Sequence, residues 1–139
     1  MSSLLDKTEL IARRAHDGQF RKDGKTLYIV HCFRVADRVK HLGEKYQAVA
    51  LLHDSIEDSN GKVTKESLLA EGIDTDVIDA VVLLTKSPNV RYDNYLENIK
   101  PNDLATRVKI ADMLDNLSDT PTPQQIQKYK KGLTFLLTD

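Results

Sequence analysis

Ala50-Leu51-Leu52-His53-Asp54-Ser55-Ile56-Glu57-Asp58-Ser59-Asn60-Gly61 is the stretch on which the reading of this chain turns. Its apolar first half continues a helical pattern that starts near Glu44, and Ser59-Asn60-Gly61 is turn chemistry, so the spacing predicts a helix over 44–58. Asp54, Glu57 and Asp58 then crowd the C-terminal end of that helix. Exposed carboxylates there oppose the helix macrodipole by roughly 0.3–1 kcal/mol each. Asp112, Asp115 and Asp119 repeat the pattern before Thr120-Pro121, near the end of a later helix. A dication between the two helix ends would offset both acidic clusters.

Working outward, Leu4, Thr8, Ile11, Ala12 and Ala15 fall at helical spacing and give a first amphipathic helix ending near Gly18. Arg21-Lys22-Asp23-Gly24-Lys25 is a basic turn. A second helix is expected from Tyr28 to Leu42, stopped by Gly43. Thr64 opens a short helix, with Glu66 one place early for a capping box. Val77, Ile78, Val81, Leu84 and Thr85 form the stripe of a further helix stopped near Ser87-Pro88. Tyr92–Ile99 is a short helix. Pro101-Asn102-Asp103 opens a longer one through Leu117, with Leu104, Val108, Ala111 and Leu114 on one face. The segment from Pro123 reads as helical, with Ile126, Tyr129 and Leu133 inward. No segment alternates at period two, and the expected fold class is all-α: a helical bundle around a metal site.

The 139 residues fit one domain, 1–139, with 40% hydrophobic and 29% charged residues, an ordinary globular balance. Twenty Lys and Arg against 21 Asp and Glu give a net charge of −1, which argues for no nucleic-acid partner and no membrane surface. Cys32 is the single cysteine, so no internal disulfide forms, and it reads as a small buried apolar residue. Met1–Lys7 has no apolar secretory core and no apolar run reaches spanning length; a soluble, cytoplasmic protein is expected.

Four residues supply two imidazoles and two carboxylates: His31, His53, Asp54 and Asp112. Mixed nitrogen and oxygen ligation suits Mn²⁺, Fe²⁺, Zn²⁺ or Co²⁺ better than Mg²⁺. Four protein ligands around an octahedral ion leave two positions for water and a phosphate oxygen. Glu57 follows His53 by four residues and Asp58 follows Asp54 by four, setting a second pair of carboxylates beside the ion to orient or deprotonate water. Lys109, Asp112 and Asn116 share one helical face. His16 reads as structural and His41 as surface; Tyr92 and Tyr95 read as partly core.

The ordered motifs resemble a known family. Ala15-His16-Asp17-Gly18-Gln19-Phe20-Arg21-Lys22 with Tyr28-Ile29-Val30-His31 resembles the opening of the hydrolase domain in bifunctional (p)ppGpp synthetase/hydrolases. The run Ala50 to Ser59, then Leu84-Thr85-Lys86, Arg107-Val108-Lys109-Ile110-Ala111-Asp112 and Asn116, continues the resemblance from about residue 5 to 120. These motifs are characteristic of the HD phosphohydrolase superfamily and its alarmone-hydrolase branch, and the short chain looks like a stand-alone small hydrolase. The resemblance implies an HD fold with Mn²⁺ on His31, His53, Asp54 and Asp112. It further implies that Glu57 and Asp58 activate the water that removes pyrophosphate from the ribose 3′ position. Arg21 and Lys22 would lie against base and phosphates, and Asn116 near the ribose.

Three departures stand out: Cys32 where the family has proline, Met113-Leu114-Asp115-Asn116 where it has arginine and then His-Asn, and Asp119 where it often has threonine. The reading is therefore a metal-dependent (p)ppGpp 3′-pyrophosphohydrolase with a small nucleotide substrate. Its alternatives are an HD phosphohydrolase of another nucleotide or phosphorylated small molecule, and a non-catalytic metal- and nucleotide-binding domain.

Overall fold

A computed structural model describes residues 3–138; Met1, Ser2 and Asp139 lie outside the described residues. Nine α-helices occur among them: α1 Leu4–Ala15, α2 Tyr28–Arg38, α3 Glu44–Leu52, α4 Ser55–Asp58, α5 Lys65–Ala70, α6 Thr75–Leu84, α7 Tyr92–Ile99, α8 Asp103–Leu117 and α9 Pro123–Leu137. A 3₁₀ turn, Lys40–Leu42, follows α2. The described residues hold no strand, only an isolated antiparallel bridge between Phe20 and Leu27 in the basic loop. The all-α expectation stands. No described helix is long and apolar enough to cross a membrane.

The middle of the bundle is α3. Ala48, Val49, Ala50, Leu51 and Leu52 are all buried, as expected where a helix is apolar all round, while Glu44 and Lys45 at its start are exposed. Helices α1, α2, α6 and α8 pack on it, which puts the C-terminal end of α3 inside the protein. Local chemistry sets the helix starts. Ser3 and Asp6 close a capping box on α1, Thr122 and Gln125 close one on α9, and Asn102 caps α8. On α5 the box is Thr64 with Ser67, not Glu66; the serine hydroxyl returns the bond to the Thr64 backbone.

Four expectations are corrected. The helix predicted over 44–58 is two helices, broken at His53-Asp54. Asp54 sits at φ −105°, ψ 3°, the bridge region of backbone space. Around it, side chains occupy helix carbonyls: His53 Nδ1 bonds Ala50 O at 2.6 Å and Ser55 Oγ bonds Leu52 O at 2.7 Å. Glu57 and Asp58 therefore occupy the first turn of a four-residue helix, and the dipole argument fails for that cluster.

The second correction concerns α8, where Leu114 is 41% exposed. Asp112 and Asp115 are turned inward instead, and at 3.6 residues per turn Leu114 lies about 200° round from Asp112. On α9, Ile126 is likewise exposed, while Tyr129, Gly132 and Leu136 face inward and Leu133 is half-buried against the core. The second helix also stops at Arg38, with the 3₁₀ turn completing the path to Gly43, whose φ of 126° lies in the region that favours glycine.

At Gly132 α9 packs closely against α7 and α8: a β-carbon there would stand 3.1 Å from Met113 Sδ and 3.5 Å from Leu96 Cδ1. Gly132→Val should overpack this contact and destabilise the fold by about 1–3 kcal/mol, read as a lower urea midpoint at unchanged slope.

Candidate metal centre

Four helical segments deliver the central side chains. His31 comes from the first turns of α2, His53 from the end of α3, Asp54 from the break before α4, and Asp112 from α8. One ligand atom from each lies within 4.8 Å of all the others. His31 Nε2 is 2.8 Å from Asp112 Oδ1 and 3.9 Å from Asp54 Oδ2. His53 Nε2 is 3.0 Å from Asp54 Oδ2 and 3.4 Å from Asp112 Oδ1. Both imidazoles are buried, with relative exposures of 1% and 2%.

The outer nitrogen of each ring fixes what the inner one offers. His53 Nδ1–H donates to the Ala50 carbonyl, and His31 Nδ1 lies 2.7 Å from Asp115 Oδ2. In the neutral imidazole, Nε2 then carries a lone pair on both rings. Those lone pairs face carboxylate oxygens, an arrangement that is repulsive without a cation between. His53 Nε2, although near two carboxylates, makes no hydrogen bond with either. Two imidazole lone pairs, two carboxylates and an orphaned buried nitrogen make a donor set that fits a divalent transition ion.

The electrostatics agree. Burial acts to lower the pKa of His31 and His53, yet the surrounding carboxylates win and lift both above the ordinary histidine value. Burial acts to raise Asp54 and Asp112, yet His53 holds Asp54 below the usual carboxylate range, and Lys109 followed by His53 does the same for Asp112. Protons on the rings and a metal ion are alternative ways to balance the same buried negative charge.

A second layer supports the ligands. Asp115, 1% exposed, points His31 inward, the carboxylate–histidine pairing that orients metal-bound imidazoles. Tyr28 OH donates to Asp54 Oδ2 at 2.5 Å. Lys109 Nζ bonds Asp112 Oδ2 at 3.0 Å with its side chain only 13% exposed, and lies 5.4 Å over the Tyr95 ring. Asn116 Nδ2 donates to Asp112 Oδ1.

The other residues singled out in the sequence take up distinct places. Glu57 is exposed, lines the cavity beside the ligands and accepts the Lys86 backbone N–H at 2.8 Å. Asp58 is half-buried; burial and then the carboxylates of Asp54 and Glu57 raise its pKa to about 6. A dication nearby would draw it back down. Arg21 is bonded to Asn116 Oδ1 at 3.0 Å and to Asp119 Oδ2 at 3.1 Å, with its guanidinium 5.6 Å over the Tyr28 ring. Lys22 bonds the Thr120 carbonyl and Gln125. His41 is exposed, whereas His16 is buried against Tyr28. Cys32 is fully buried, its thiol pushed up to about 12 by burial, so it stays a protonated apolar filler.

Sequence reasoning did not single out Tyr28, Gln19 or the link from Asp115 to His31. Tyr28 precedes His31 by three residues and Asp115 follows Asp112 by three, so helical spacing alone could have put each beside its ligand. Gln19, which donates to the Asp58 carbonyl at 2.6 Å and pairs with His16 Nδ1, offers no comparable signal because the contact spans 39 residues.

Comparison with known proteins places this geometry among relatives. No family model matches the chain. It is 37% identical over 115 residues to the guanosine-3′,5′-bis(diphosphate) 3′-pyrophosphohydrolase of Haemophilus influenzae; the match takes in 79% of this chain, which spans only 16% of that relative's length. Among solved structures it is similar to a metazoan ortholog of SpoT described as hydrolysing ppGpp and playing a role in starvation responses. That match has a TM-score of 0.78 and 25% identity, over 98% of this chain and 84% of the other.

Asp115→Asn should weaken binding of Mn²⁺ or Zn²⁺ by about 10–100-fold with the far-ultraviolet dichroism unchanged. Calorimetric titration of the apo-protein reads this, and an unaltered affinity would remove Asp115 from the site.

Proposed function

Because the chain is similar in sequence and fold to HD-type (p)ppGpp hydrolases, we propose that it is a metal-dependent phosphohydrolase that releases pyrophosphate from the 3′ position of guanosine alarmones. One observation carries the reading: two imidazole lone pairs and two carboxylates converge within 4.8 Å beside a cavity that three lysines line. His31, His53, Asp54 and Asp112 would hold Mn²⁺, with other divalent transition ions as substitutes. Such an ion supplies polarisation of a phosphoryl oxygen and a lowered pKa for water.

The chain's own groups handle the rest. Asp58 takes a proton from the attacking water as general base, and Glu57, braced by the Lys86 N–H, orients that water. The water oxygen bonds the phosphorus next to the ribose, the bond from that phosphorus to the 3′ oxygen breaks, and the proton passes to the ribose oxygen. The products are a 3′ hydroxyl and pyrophosphate. Lys109, paired with Asp112, is the substrate contact nearest the ligands. Asn116, bonded to both Asp112 and Arg21, would contact the ribose. Arg21 offers a planar face to a purine, and Lys22 would exchange its bonds to Thr120 and Gln125 for a phosphate. Asp119, an acid that would repel phosphate if left alone, is neutralised by Arg21. We read residues 1–139 as one domain working in the cytoplasm on a small nucleotide, with no nucleic acid or membrane partner.

A second reading, hydrolysis of another nucleotide, is favoured by the Arg21–Asp119 pair, which gives the wall near the ribose a chemistry different from the threonine of the resembling family. Incubation of the Mn²⁺-loaded protein with a nucleotide panel separates the readings. We expect pyrophosphate release from ppGpp, loss of it in His53→Ala and Asp54→Ala, and a roughly 10²–10⁴-fold lower kcat in Asp58→Asn with metal still bound. Release only from other nucleotides selects the second reading; none from any nucleotide at full metal occupancy sinks both. Arg21→Ala should raise KM for the nucleotide by about tenfold while changing kcat far less, because its contact is remote from the reacting phosphorus.

A further inference from the structure

Lys86, Lys109 and Lys128 reach one cavity from three separate elements: the segment after α6, the middle of α8 and the first half of α9. The cavity opens beside His53, Asp54 and Asp112. Its carboxylates are Asp54, Glu57 and Asp112, equal in number to the lysines. A dication on the central cluster would therefore leave the cavity with a surplus of positive charge, which only an anion of more than one charge would balance.

The lysines are committed to different degrees. Lys109 is paired with Asp112. Lys86 Nζ has only the Ser87 carbonyl, at 3.3 Å, and makes no ion pair among the described residues. Lys128 Nζ stands 4.3 Å over the Tyr92 ring, which holds it at the cavity rim, and it too has no carboxylate partner among the described residues. Burial, then the ammonium groups of Lys109 and Lys86, push Lys128 below the ordinary lysine range. Three cations crowded on one cavity repel one another, and a multivalent anion between them reverses the sign of that interaction. The aromatic walls, Tyr92 and Tyr95, keep the lysine stems aligned while adding no negative charge of their own. Arg21 and Lys22 lie elsewhere, against Asn116, Asp119 and the Thr120 carbonyl.

We propose that Lys86 and Lys128, together with Lys109, form a diphosphate subsite in which the phosphate farther from the ribose is held while the nearer one faces the metal ligands. The proposal rests on the phosphohydrolase reading for the nearer phosphate, and it adds the residues of α9 and of the segment after α6 to the substrate site. It also assigns the last helix a part in recognition: Lys128 is a specificity residue that favours a diphosphate over a monophosphate.

The test uses inorganic pyrophosphate, titrated calorimetrically into the full chain with Mn²⁺ saturating in both cell and syringe, so that chelation does not strip the site. The wild-type chain should bind pyrophosphate, and bind it more tightly than orthophosphate. Lys128→Gln and Lys86→Gln should each weaken pyrophosphate binding by about five- to tenfold and narrow its margin over orthophosphate. Mn²⁺ affinity should be unaltered in both, and Lys130→Gln, on the same helix but outside the cavity, should behave as wild type. Unchanged pyrophosphate affinity in both cavity variants, equal weakening in Lys130→Gln, or no binding to the wild-type chain would overturn the subsite. A chain that binds pyrophosphate through these lysines but releases none from ppGpp would lose the alarmone reading and keep the subsite.

Discussion

Everything near the centre of this protein depends on two hydrogen bonds that point away from it. The Nδ1–H groups of His31 and His53 are committed outward, to Asp115 and to the Ala50 carbonyl, and that leaves both Nε2 atoms facing Asp54 and Asp112. Lone pairs set against carboxylates in a buried site are unfavourable unless positive charge lies between them. The bundle around them, with the last five residues of α3 all buried, fixes those directions too firmly for the rings to turn away.

The helix break at His53-Asp54 is part of the same constraint. A continuous helix would carry adjacent ligands about 100° apart around its axis, and His53 and Asp54 would then diverge. Interrupting the helix lets two consecutive residues converge, with Asp54 Oδ2 3.0 Å from His53 Nε2. The carbonyls released by the break are taken by the His53 ring and the Ser55 hydroxyl, so the interruption is satisfied locally.

Much of this was legible in the sequence, and the parts that were not share a cause. Helical periodicity located α7 and α8 within a residue or two and the start of α1 at Leu4, although α1 ends at Ala15, three residues before Gly18. The cluster of His31, His53, Asp54 and Asp112 was legible because His and Asp in ordered motifs matched a known pattern. Periodicity could not reveal the break in 44–58, since apolar spacing continues through it and the deciding interactions are side chain to backbone. It misplaced Leu114 because the inward face of α8 is set by polar residues, Asp112 and Asp115, that a hydrophobic count treats as outward, and it misplaced Ile126 because Gly132, which such a count ignores, shares the inward face of α9 with Tyr129 and Leu136. Lys109 illustrates the same limit: its burial comes from an aspartate three residues on and from Tyr95 of another helix.

The pairing of Arg21 with Asp119 has one more consequence. It cancels charge beside Asn116, while Lys86 and Lys128 have no carboxylate partner among the described residues, so positive charge is unevenly spread around the centre. A molecule with a neutral aromatic end and an anionic end is torqued by such a field before it makes any contact. On the proposed reading, orientation would be selected during approach, the aromatic end meeting the Arg21–Tyr28 stack as the phosphates turn toward the lysines.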